Sequence, residues 1–194
     1  IAGCPEAGKS QLLRAIAGLW PAGTGTILLP PPDGVMFMPP RPYLPFTTLR
    51  AAITYPDQPE GFDDAAVHGA LERVGLGRLI ARLAEKERWD KSLSADEQQR
   101  LALARLVLHA PTWVFFEDTT PYMTAEHCRL ARSIFARELA TATVIGIGSN
   151  PALAGFYART IHLRHLPASP PARLGHHQRP RYPVPADEAE LKAV

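Results

Sequence analysis

The chain has 194 residues, 46% of them apolar, enough to bury the core of one ordinary domain with a small subdomain. A net charge of +2 gives no pull toward nucleic acid or an anionic membrane surface, so no nucleic-acid partner is expected. No uncharged apolar run approaches the ~18 residues of a membrane span, and Cys4 and Cys128, far apart and without a secretory signal, read as reduced thiols in the cytoplasm.

The first residue is Ile1, immediately before a glycine loop that a strand should lead into. A piece of a longer chain is therefore expected. Residues 8–19, GKSQLLRAIAGL, carry apolar residues at helical spacing, with Gly18 near the stop. PAGTGTILLPPPDG reads as turn, short strand, turn. VMFMP is a buried strand closed by Pro39 and Pro40, so Met36, Phe37 and Met38 are core rather than a ligand pocket. Residues 47–108 are mainly helical, in pieces near 47–53, 64–75, 77–85 and 95–108. Residues 113–116 form a buried strand, 124–140 an amphipathic helix, 143–148 a buried strand and 158–164 the last strand. On the helix over 124–140, His127 and Cys128 divide between surface and core, and Arg129, Arg132 and Arg137 make a solvated face.

Strands alternating with helices specify an α/β fold with a parallel sheet covered on both faces. The helical block reads as an insertion. From residue 166 the chain turns Pro-rich and poor in large aliphatics, which reads as a flexible tail. His176 and His177 in that tail lack partners at metal-ligand spacing.

GCPEAGKS, residues 3–10, fits the phosphate-loop pattern G-x-x-x-x-G-K-[ST], between a strand end and a helix start. Loop amides and the helix N-terminus point at a β-phosphate. Gly3, Cys4, Pro5, Glu6, Ala7, Gly8, Lys9, Ser10 and Gln11 make the nucleotide-binding set. Lys9 reaches the β- and γ-phosphates, and the Ser10 hydroxyl takes Mg²⁺. Pro5 removes one N–H donor, and Glu6 must turn its carboxylate away from the phosphates. WVFFEDTTPYMT, residues 113–124, ends an apolar run in Glu117 and Asp118, the arrangement expected of a magnesium-holding strand. SADE, residues 94–97, is a capping box with Ser94 as N-cap and Glu97 at the third helical position.

With LLRAIAGLWPAGTGTI, PRPYLPFTTLRAAITYP, LERVGLGRLIARL and LSADEQQRLALARLVLHAPTWVFFED in this order, residues 1–163 resemble the nucleotide-binding domain of an ABC transporter. Trp20, Trp89 and RPYLP resemble one branch, half-transporters with a permease fused ahead of the ATPase, including peroxisomal fatty-acyl exporters and bacterial importers of vitamin B12-like or peptide substrates. The resemblance implies a P-loop parallel-sheet core over residues 1–165 with a helical subdomain at about 47–108, an N-terminally truncated ABC ATPase fold; residues 166–194 are left as the Pro-rich tail. It implies ATP and Mg²⁺ as cofactors, with Ser10 and Glu117 as metal ligands. It implies as partners a permease domain in the same polypeptide and a second nucleotide-binding domain, at the cytoplasmic face of a membrane (the inner or plasma membrane in a bacterium).

The chemical positions depart from the family's pattern. A glutamine touching Mg²⁺ and the attacking water becomes Pro40. In the signature motif, which acts on a partner's nucleotide and takes in Ser94, Asp96 and Glu97, the serine matches at Ser94, but a glycine becomes Asp96. The magnesium aspartate becomes Glu117 and the catalytic glutamate Asp118. A loop aspartate becomes Thr124, and the switch histidine becomes Ser149. Asp118, the candidate base, is about 1.5 Å shorter than glutamate, and a misplacement of ~1 Å can cost on the order of 100-fold in rate. Asp96 near a partner's γ-phosphate would face about 3 kcal/mol of repulsion per unit charge at ~5 Å and an effective dielectric of ~20. The expected function is coupling of ATP binding to transport, with hydrolysis impaired in this copy. A competent but divergent ATPase and a nucleotide-sensing scaffold without a transport role are the alternatives.

Overall fold

The structure is a computed structural model that describes residues 1–4, 7–117, 124–148 and 157–164. Strand β1 (Ala2–Gly3) leads into α1 (Lys9–Ile16), and β2 (Val35–Met38) follows. Next come β3 (Thr47–Thr48), α2 (Leu49–Thr54), α3 (Asp64–Arg73), β4 (Lys86–Glu87), α4 (Trp89–Ser92) and α5 (Ala95–His109). Strand β5 (Trp113–Glu117), α6 (Ala125–Ala136), β6 (Thr143–Ile147) and β7 (His162–Leu163) complete the described elements.

The parallel sheet follows from three short apolar runs. Strand β5 pairs in parallel with β2 on one side, Phe115 opposite Phe37, and with β6 on the other, Phe115 opposite Ile145. Strand β1 pairs in parallel with β7. The Gly148 amide donates to Ile1 O at 3.0 Å and the Ile1 nitrogen donates to Gly146 O, the pattern of a parallel neighbour, so β1 lies beside β6. Because side chains alternate along a strand, the sheet has two buried faces. Val114 and Phe116 join Met36, Met38 and Val144 in the main core with α5 and α6. Phe115 points the other way, stacks on Phe37 at 4.8 Å, and packs with Ile147 under Leu13 and Ile16 of α1. The methionines of β2 are thus core, as expected.

Several boundaries differ from the sequence reading. Residues 27–29 form no strand: Ile27, Leu28 and Leu29 are 48%, 91% and 40% exposed and pair with no strand among the described residues, and a lone strand has no ladder to hold it. Gly77–Arg82 is a 3₁₀ helix rather than α. Helix α1 ends at Ile16, α6 ends at Ala136, and β7 covers only two residues. Strand β4 and helix α4 were not anticipated. They rest on Trp89, fully buried, whose indole N–H donates to Thr47 O at 2.9 Å. The tail over 166–194 lies outside the described residues.

Helix α5 is buried from Leu101 to Leu106, and several of its polar residues connect elements. Buried Arg105 donates twice to Ala52 O, at 2.8 and 2.6 Å, and to Tyr43 O at 2.8 Å, fixing the chain after Pro40 against α2. Burial draws its pKa from 12.5 down to about 10, still charged at neutral pH. At the C-terminus of α5, His109 lies edge-on to Phe62 with Nδ1 3.3 Å from Asp57. Burial lowers its pKa from 6.5, and Asp57 only partly opposes this. The unfolded chain then binds the proton more readily, so stability is lost as pH falls from about 6.5 toward the depressed native value. In urea titrations, His109→Gln should lose less stability than the wild type between pH 7.5 and 5.5. An identical loss in both would contradict this.

Candidate functional site

Strand β1 and helix α1 hold the phosphate loop between them. Gly3 and Gly8 have φ of 154° and 79°. A Cβ at Gly3 would come within 2.6 Å of Leu163 O, so this position needs glycine for both conformation and close approach. Gly8 is the N-cap of α1 and gives it no side-chain cap, and no acid occupies the first turn. The Leu12 amide bonds Gly8 O at 2.8 Å. The amides before it therefore point along the axis toward the loop, where an anion is favoured.

The side chains complete the cradle. Lys9 is 8% exposed, and its ammonium donates to Gly3 O at 2.8 Å and Cys4 O at 2.7 Å. Two of its three donors are used in this way among the described residues. Ala7 closes a turn onto Cys4 O, Cys4 is exposed, and Gln11 projects from the first turn of α1. The Ser10 hydroxyl donates to Glu117 Oε1 at 2.8 Å. The two predicted magnesium ligands, 107 positions apart, are therefore in direct contact. A hydroxyl and a carboxylate beside a phosphate loop are hard oxygen donors of the kind Mg²⁺ takes, the rest of its shell coming from phosphates and water. Pro5, Glu6, Asp118 and Ser149 lie outside the described residues.

At the start of α5, the capping box forms as expected. The Glu97 amide donates to Ser94 Oγ at 3.3 Å, and the Ser94 amide to Glu97 Oε2 at 2.9 Å. Glu97 also pairs with Arg78. Within the subunit the Asp96 carboxylate has partners of its own. Arg100 Nε donates to Asp96 Oδ2 at 2.6 Å, one turn along the helix, and His127 Nδ1 stands 3.3 Å from Asp96 Oδ1. The repulsion reckoned for a bare carboxylate is therefore an upper bound. Arg100, Arg78 and His127 were missed as partners of this segment. The i,i+4 spacing of Asp96 and Arg100 was the one available signal. Pro40 has no amide side chain, but its carbonyl accepts from Gln99 Nε2 at 2.5 Å, which ties the end of β2 to α5.

Known proteins similar to this chain point to one family. A family model described as ABC transporter matches residues 1–120. An uncharacterized ABC transporter ATP-binding protein of Haemophilus influenzae is 34% identical over 166 residues, covering 86% of this chain and 27% of the relative. The inner membrane ABC transporter ATP-binding protein YddA of Escherichia coli is 34% identical, over 77% of this chain and 26% of its own. ATP-binding cassette sub-family D member 3 of Rattus norvegicus is 33% identical, over 66% and 22%. A bacterial Atm1-family ABC exporter solved with ATP bound shares the fold, with a TM-score of 0.61 at 23% identity over 77% of this chain and 29% of that one. The chain spans about a quarter of the length of these curated relatives.

Proposed function

The chain belongs to the ABC transporter family as an ATP-binding domain, and from that premise we propose that it binds Mg-ATP through loop 3–10 and hydrolyses it poorly. The observation that carries the reading is the 2.8 Å bond from Ser10 to Glu117, which puts the phosphate loop and the acidic strand end at one place. Bound there, Mg²⁺ would neutralise phosphate charge, held by Ser10 and Glu117. Poor turnover is supported by the residue types. Asp118 is a shortened base, Ser149 stands where an imidazole would be, and Pro40 offers no amide to metal or water. Losses within one constellation do not simply add.

In the whole protein the domain would lie at the cytoplasmic face of a membrane, beside a permease in the same polypeptide. No helix among the described residues is long and apolar enough to cross a membrane. Residues 40–50 and the helical region over 47–108 would face the permease. Exposed Tyr43, Phe46 and Tyr55 support that choice, being 60%, 59% and 42% accessible. A second nucleotide-binding domain would pair through the Ser94–Glu97 end of α5, with this copy as the degenerate half.

Steady-state phosphate release by the full-length protein tests the hydrolysis reading. Turnover should fall at least about 100-fold below the ~10 s⁻¹ typical of enzymes. Turnover near ~10 s⁻¹ that disappears in Lys9→Ala would make this a competent, divergent ATPase instead.

A further inference from the structure

The beginnings of α5 and α6 are joined by a group of charged and polar side chains that loop 3–10 does not use. Arg100, on α5, donates through Nε to Asp96 and through Nη2 to Glu126 Oε1 at 2.8 Å, and through Nη1 to Val74 O at 3.2 Å. That hydrogen bond holds the Glu126 carboxyl below its ordinary range, with the charge of the guanidinium adding to the effect. His127 is 1% exposed, and it enters from α6. Its Nε2 donates to Asp96 O at 3.3 Å, since a carbonyl can only accept. Its Nδ1 faces Thr124 Oγ1 at 3.1 Å and Asp96 Oδ1 at 3.3 Å. Thr124 in turn accepts from the His127 amide at 3.2 Å as the N-cap of α6. A buried imidazole is retained at a cost unless both ring nitrogens are satisfied. Here every partner lies at one of the two helix starts.

We propose that Asp96, Arg100, Glu126 and His127 form a latch that fixes the start of α5 against the start of α6, with His127 as a positioning residue for the Ser94–Glu97 segment. The latch gives Asp96 a structural task. It compensates the carboxylate within the subunit and anchors the first turn of α5 from outside that helix. Restoring glycine at this position should therefore loosen the segment. The inference rests on the nucleotide reading only in one respect, that Ser94–Glu97 is a surface for pairing with a second domain.

Hydrogen exchange on the full-length, nucleotide-free protein tests the latch directly. In His127→Leu the amides of Glu97, Gln98 and Arg100 should exchange about 10-fold faster, with the amides of β5 unchanged, and Asp96→Gly should act in the same direction. The double variant should go little beyond either single one, as expected of residues in one network. His127→Gln, which keeps a buried side-chain donor, should restore protection and serves where the leucine variant fails to fold. Unchanged exchange in both His127→Leu and Asp96→Gly, or additive effects in the double, would overturn the latch. In parallel, ATP affinity at loop 3–10 should stay within about twofold in the His127 variants, while Mg-ATP-driven pairing weakens about 10-fold in leucine and recovers in glutamine. A wild type that binds no Mg-ATP would end the nucleotide reading, and the exchange data would still decide the latch.

Discussion

Lys9→Ala is expected to weaken Mg-ATP binding by about 100-fold, the larger part of what loop 3–10 can supply. A hydrogen bond to a charged partner contributes roughly 1.5–3 kcal/mol, and an ammonium between two phosphates makes more than one. The full sum is not available, because the Nζ that would serve a nucleotide now holds Gly3 O and Cys4 O at 2.8 and 2.7 Å. At least one of those contacts must be given up on binding. The same contacts predict a modest loss of stability in the variant, on the order of 1–2 kcal/mol for two ordinary hydrogen bonds. Calorimetry on the complete polypeptide separates the two effects, with a thermal scan run without nucleotide as the control. Binding weakened less than about 10-fold would mean that the phosphates lie elsewhere, and the proposed role in transport would lose its energetic basis.

The parts of the fold that were legible in the sequence are those where local chemistry and tertiary context agree. Val114, Phe115 and Phe116 could only be a strand buried on both sides, and the structure uses Phe115 on one face and its two neighbours on the other. Loop 3–10 was legible because its glycines are required by the backbone: φ is 79° at Gly8, and a Cβ at Gly3 would meet Leu163 O. The capping box at Ser94 and Glu97 was legible because it is a local bargain between residues three apart.

What was missed lies in long-range pairing. Residues 27–29 have strand chemistry without a strand beside them, and periodicity cannot report a missing neighbour. His127 looked like an ordinary position on an amphipathic helix because its partner Asp96 is 31 residues away in sequence. The phosphate-loop pattern and the acidic strand end each pointed to Mg²⁺, and the resemblance assigned Ser10 and Glu117 to one metal. Spacing alone would not join positions 107 residues apart.

Trp89→Ala should be the most destabilising of these substitutions, by about 4 kcal/mol. Truncating a buried Trp or Phe typically costs ~3–5 kcal/mol in lost transfer energy and residual cavity, and Trp89 is among the largest fully buried side chains here. It also carries the Arg82 guanidinium 5.0 Å from its ring centroid, and its N–H donates to Thr47 O. Against a net stability of roughly 5–15 kcal/mol for a domain, that loss is a quarter or more of the whole. For a chain of this size it corresponds to a fall in melting temperature of about 8–16 °C. Trp89→Phe separates the two contributions, since it keeps most of the ring volume and removes the donor. Its cost should be about 1–2 kcal/mol, the usual range for one buried hydrogen bond with some cavity. Trp89 packs in the main core, whereas Leu13 of α1 packs with Phe115 and Ile147 on the opposite face of the sheet. The Phe variant should therefore unfold earlier and still bind Mg-ATP within about twofold of the wild type. A large loss of affinity in that variant would mean that the two faces of the sheet are coupled more tightly than their separate clusters indicate.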